Sequence, residues 1–182
     1  MNDGAQPRIF LVGYRCSGKT TVGPLVASRL DWSFVDADVL LEARAGKSIA
    51  RIFTEDGEPA FRELEANLLA ELSENSNCVL STGGGVILRP ANRQLLRSRG
   101  FVAWLEAPAE LIWQRMQLDP TTSARRPNLT AAGGLQEVKE LLAVREPLYR
   151  ATAHAAFPAD RSPEWLADAI VQVWNGGFRS RS

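Results

Sequence analysis

The sequence predicts an α/β fold in which a mainly parallel sheet is covered by helices on both faces. Three observations carry this. Short apolar runs alternate with longer amphipathic stretches along the chain. A glycine-rich turn links the first apolar run to the first helical stretch. The 182 residues, 45% hydrophobic and 23% charged, suit one folded domain with a sizeable core. The runs expected as strands are 9–12, 34–35, 78–81, 101–105 and, more weakly, 154–157; the stretches expected as helices are 19–30, 39–45, 59–75, 91–98, 108–117, 134–150 and 163–174.

The first strand, IFLV, runs into Gly13-Tyr14-Arg15-Cys16-Ser17-Gly18-Lys19-Thr20, which matches Gly-x-x-x-x-Gly-Lys-Ser/Thr between a buried strand and a helix. Gly13 and Gly18 let backbone amides curl around phosphate oxygens, with the positive end of the next helix aimed at the same place. Lys19 reaches β and γ phosphates in such a loop, and the Thr20 hydroxyl is a Mg²⁺ ligand. The second strand ends at Asp36 and Asp38, two residues apart and therefore on one side of an extended chain. One is a candidate for the magnesium shell and the other for addressing a substrate hydroxyl; the competing reading makes Asp38 only the N-cap of the following helix.

The next helical stretch carries Arg62 in FRELE, and the third strand ends in Ser81-Thr82-Gly83-Gly84-Gly85, whose glycines allow a ligand close to bare amides. The fourth strand leads to a helix with Arg115. Beyond it, 118–133 is rich in Pro, Thr, Ser, Ala and Gly and holds Arg125 and Arg126; a connection of that length reads as a mobile lid bringing positive charge to a phosphoryl group. The helix after it carries Arg145 in REPLYR. Arg62 and Arg145 lie beside apolar or aromatic neighbours, where a bidentate clamp on a carboxylate could be held. His154, the one histidine, has no nucleophile or acid near it in sequence and reads as a strand or surface residue. The five tryptophans read mostly as packing, and about 176–182 as a loose tail.

Composition narrows the partners. Lysine plus arginine balances aspartate plus glutamate at 21 each, so no global field favours nucleic acid or an anionic membrane. The two cysteines, Cys16 and Cys78, lack metal-ligand spacing and suit unpaired thiols in a reducing compartment. No apolar run approaches a membrane span, and the start MNDGAQPR lacks the apolar core of a secretory signal, so a cytoplasmic protein is expected.

Taken in order, GYRCSGKTT, FVDADVLLE, GKSIARIFTEDGEPAFRELE, STGGGVI, RRPNL and REPLYR resemble the shikimate kinases, over nearly the whole chain from Ile9 to Trp174. The resemblance implies a P-loop NTPase three-layer fold, a five-stranded parallel sheet flanked by helices, with a mobile lid and a substrate-binding region at about 36–65. It implies transfer of the γ phosphate of ATP to the 3-hydroxyl of shikimate, with Mg²⁺, on the route to chorismate and the aromatic amino acids; a monomer is expected. Residue by residue it implies that Gly13, Cys16, Ser17, Gly18, Lys19, Thr20 and Thr21 hold ATP, with Arg115 against adenine and Arg126 reaching the phosphates from the lid. Thr20 and Asp36 would serve magnesium. Asp38 would address the ring hydroxyls as candidate base, while Arg62, Arg145 and the amides of Gly83, Gly84 and Gly85 would bind the shikimate carboxylate and a hydroxyl. RRPNL departs from the family's Arg-Pro-Leu, so either Arg125 or Arg126 is the lid arginine. Gluconate and nucleoside monophosphate kinases share the loop and lid but fit the acidic pair, triple glycine and REPLYR less well. A nucleotide-dependent switch lacks its guanine-reading motif here.

Overall fold

The computed structural model describes residues 7–118 and 134–178. Five strands form one sheet: β1 (Arg8–Val12), β2 (Ser33–Asp36), β3 (Cys78–Ser81), β4 (Phe101–Glu106) and β5 (Ala155–Pro158), all parallel, in the order β2-β3-β1-β4-β5. Each parallel crossover requires a covering helix. The helices are α1 (Lys19–Leu30), α2 (Ala37–Ala45), α3 (Ile49–Glu55), α4 (Gly57–Leu72), α5 (Pro90–Arg99), α6 (Ala109–Leu118), α7 (Gly134–Thr152) and α8 (Pro163–Val173).

Alternation along the central strands divides the core between the two faces of the sheet. Ile9, Leu11, Phe101, Ala103 and Leu105 pack with Val22 and Val26 of α1 and Leu166 and Ile170 of α8. Phe10, Val12, Val102 and Trp104 pack with Ile52 of α3, Phe61 and Leu68 of α4 and Tyr149 of α7. Because α7 contributes Val138 to the first cluster and Tyr149 to the second, it spans both cores.

The expected strands and helices occur, with shifts of a few residues at their ends. One helix was not expected. Ile49–Glu55 has only seven residues between Gly46 and Gly57, so it reads as loop by composition; Ser48 caps it by accepting from the Arg51 amide at 3.3 Å. At the other end of the chain, a π-helical turn, Trp174–Phe178, runs into the stretch expected to be tail, and Phe178 packs its ring on Phe101, His154 and Trp174. Burial accounts for Trp104 and Trp174, whereas Trp165 is exposed beneath the Arg161 guanidinium.

His154 has a structural job. Its Nδ1 accepts the Val102 amide at 3.0 Å while its ring packs against both Phe101 and Phe178. Burial, and then the neighbouring Arg97, lower its pKa from the ordinary 6.5, so as the pH falls the unfolded chain takes up a proton that the native ring resists. Stability therefore decreases below about pH 6.5. Urea midpoints at pH 7.5 and 5.5 should fall further for the wild type than for His154→Asn, whose amide oxygen can accept from Val102 without titrating; equal losses would remove His154 from the acid sensitivity.

Candidate active site

The register aligns the carboxyl ends of the strands that matter. Leu11 of β1 and Asp36 of β2 both pair with Ser81 of β3, so the turns after Val12, Asp36 and Ser81 open at one edge. At this edge the strand order reverses around β1, the place where open α/β sheets gather ligands.

After β1 the loop turns on Gly13, at φ 147°, and enters α1 through Gly18, at φ 103°. A side chain on Gly13 would meet the Leu105 carbonyl at 2.8 Å, so both backbone angle and space demand glycine. The Lys19 ammonium is buried in the curl, donating to the carbonyls of Gly13 at 2.8 Å and Tyr14 at 2.9 Å. At the next residue, Thr20 Oγ1 donates to Asp36 Oδ2 at 2.8 Å.

Asp36 is the N-cap of α2: its Oδ1 accepts from the amides of Asp38 at 3.0 Å and Val39 at 3.2 Å. Two expectations change as a result. The capping role proposed as the alternative for Asp38 belongs to Asp36, and the chain turns helical at Ala37, so the two carboxylates do not share one face of a strand. They nevertheless line the same cleft, because the first turn of α2 brings Asp38 back beside the end of β2.

Two joined clefts result. One, with a cavity volume of about 630 Å³, runs along the phosphate loop and is lined by Cys16, Ser17, Gly18, Lys19, Thr20, Thr21, Asp36, Asp38 and Arg115. Arg115 bridges its far side, donating to the Cys16 carbonyl at 3.2 Å and the Ala159 carbonyl at 2.7 Å. The other, with a cavity volume of about 60 Å³, is lined by Arg15, Asp38, Arg62, Glu65, Arg145, the three glycines and the rings of Phe53 and Phe61. Arg15 and Asp38 belong to both.

In the smaller cleft three arginines face two carboxylates, a surplus of positive charge over a floor of apolar rings. Arg62, stacked over Phe61, donates to Glu65 at 2.8 Å and to Glu58 at 3.0 Å. Burial pushes the Glu65 carboxyl above its usual pKa, against the pull of Arg62. Arg145 is buried against the Tyr14 ring. The glycines serve these side chains as well as any ligand: a Cβ on Gly83 would stand 2.6 Å from Glu65 Oε1 and 2.9 Å from Asp38 Oδ1, and one on Gly85 would collide with the Arg62 guanidinium at 2.3 Å. Tyr149, whose hydroxyl pKa is raised by complete burial, donates to the Gly84 carbonyl and fixes that turn.

The sequence-derived site residues within the described chain thus converge, with Gly13 forming the base of the loop. Arg125, Arg126 and the expected lid beyond Leu118 lie outside the described residues. Sequence reading missed Arg15, Glu65 and the apolar floor of the smaller cleft, and Arg161 and Pro163 at the edge of the larger one. Glu65 had a signal: three residues after Arg62, it occupies the same helix face. Arg15 had a weaker one, a long cation at an unconstrained position of the phosphate loop.

A family model described as shikimate kinase matches residues 15–175. A shikimate kinase of Oleidesulfovibrio alaskensis is 47% identical over 166 residues, 91% of this chain and 96% of that relative. The solved structure of shikimate kinase from Acinetobacter baumannii in complex with shikimate is similar at a TM-score of 0.86 and 38% identity, covering 93% of each chain. That of the Aquifex aeolicus shikimate kinase is similar at a TM-score of 0.77 and 33% identity, covering 94% of this chain and 98% of its own.

Proposed function

The chain belongs to the shikimate kinase family and phosphorylates shikimate with ATP, and on that premise we propose how its two joined clefts divide the work. The larger cleft takes the nucleotide, with the loop amides and Lys19 on the phosphates and Arg115 toward the base. The smaller takes shikimate, with Arg62 and Arg145 on the carboxylate, the Gly83, Gly84 and Gly85 turn against a hydroxyl, and the 3-hydroxyl directed at the γ phosphate. The observation that carries this reading is that Asp38 lines both clefts. A carboxylate at that junction can orient the acceptor hydroxyl and receive its proton as the new O–P bond forms. Phosphoryl transfer needs little more from a protein than such positioning and neutralised charge.

Thr20 and Asp36 fit Mg²⁺. They present a hydroxyl and a carboxylate 2.8 Å apart at the edge of the nucleotide cleft, a hard oxygen pair of the kind this ion takes alongside phosphate oxygens and water. Bound there, Mg²⁺ supplies neutralisation of the phosphate charge. The chain's own part is to hold the pair: the α2 amides occupy Asp36 Oδ1 and fix Oδ2 toward Thr20.

The cytoplasm and a monomeric state complete the proposal. Neither Cys16 nor Cys78 is in a disulfide, no described helix is long and apolar enough to cross a membrane, and the exposed large apolar side chains of the described residues are spread over five helices. An ADP-release assay with shikimate, gluconate and nucleoside monophosphates as acceptors tests the acceptor. Turnover should appear with shikimate alone; turnover with another acceptor and none with shikimate would overturn the reading.

A further inference from the structure

Arg15 is 7% exposed and Glu137 of α7 is 1% exposed, and they form an ion pair, Nη2 to Oε1 at 3.2 Å, across 122 residues of sequence. Burying two charges is costly unless their remaining donors and acceptors are used. One is not: among the described residues Arg15 Nε is a buried donor with no hydrogen-bond partner, at a side chain that lines the acceptor cleft beside Arg62 and Arg145. Native structures rarely leave such a group unmade without a functional reason. The guanidinium also lies over the Tyr14 ring, which limits its choice of orientations.

Resting on the acceptor assignment above, we propose that Arg15 is a third arginine of the acceptor site, donating through Nε to the shikimate carboxylate, and that Glu137 is its positioning residue. Glu137 engages the guanidinium through Nη2 alone, which holds the group in place and leaves Nε for the ligand. Since Glu137 lies two turns before Arg145 on α7, one helix sets two of the three guanidinium groups. A carboxylate suits this site better than a neutral oxygen because a charge-assisted bond is roughly twice as strong as a neutral one.

The test is steady-state kinetics of the full chain with shikimate and with its neutral carboxamide analogue, together with calorimetric binding of ADP. Arg15→Gln should raise KM for shikimate by about tenfold, the worth of one lost charge-assisted bond. It should leave the carboxamide's KM and the ADP Kd within about twofold, the scatter expected where no contact is lost. Arg15→Lys should recover part of the shikimate KM, and Glu137→Gln should raise it in the same direction by a smaller factor, with kcat less affected in both. Equal losses for the two acceptors, ADP binding weakened as much as shikimate binding, or an unchanged shikimate KM in folded Arg15→Gln would each overturn the proposal. Absence of shikimate turnover in the wild type would instead overturn the acceptor assignment on which it rests. Thermal melting of each variant identifies one that has lost its fold; Arg15→Lys then carries the test.

Discussion

Asp38→Asn should lower kcat for shikimate phosphorylation by about two to four orders of magnitude, the range for removing a positioned proton acceptor. The substitution keeps the size of the side chain and one carbonyl oxygen, so the first turn of α2 and its cap on Asp36 should persist. What disappears is the negative charge at the junction of the clefts, beside Gly83. ADP affinity should change little, because the phosphate loop, Thr20 and Asp36 are untouched. KM for shikimate should rise less than kcat falls, the signature of an interaction made mainly in the transition state. Single-turnover kinetics with calorimetric ADP binding check both, and an unchanged kcat would remove Asp38 from the reaction.

Lys19→Ala should produce a different pattern, weakening nucleotide binding and lowering kcat together, the latter by about 10²- to 10³-fold as for loss of a preorganised donor to developing charge. The ammonium is buried in the phosphate loop with the carbonyls of Gly13 and Tyr14 as partners, at the place where nucleotide phosphates enter. Its donors can pass from those carbonyls to phosphate oxygens with little rearrangement of the chain. Removing it also leaves the two carbonyls without that donor, so the variant's loop should be looser in the absence of nucleotide. Calorimetry with ADP separates the variants: affinity lost in Lys19→Ala and kept in Asp38→Asn. Full activity in Lys19→Ala would contradict the role assigned to the loop.

The contrast between these two residues follows how each was legible. Lys19 is defined by its neighbours in sequence: the strand before it, the glycines around it and the helix after it are all local. Asp38 was legible as a carboxylate near a strand end, but not as a helical residue, since the competing claim of Asp36 on the α2 cap depends on where β2 stops. Arg62 could be singled out from its aromatic neighbour, yet its contact with Gly85 and its pairing with a buried Glu65 required α4 to be packed against the turn after β3. Short α3 escaped notice because two turns flanked by glycines carry little periodic signal.

The sequence by itself determined the alternation of strands and helices, the phosphate loop and the family, because each is written in spacings of a few residues that reflect contacts along the chain. Only the tertiary structure decided that β3 lies between β2 and β1, that Asp38 belongs to two clefts, and that Arg15 meets Glu137 from 122 residues away. The physical reason is range. Helical and extended periodicities arise from interactions between near neighbours, whereas a buried charge finds its partner only after the strand order has chosen which distant segments lie side by side.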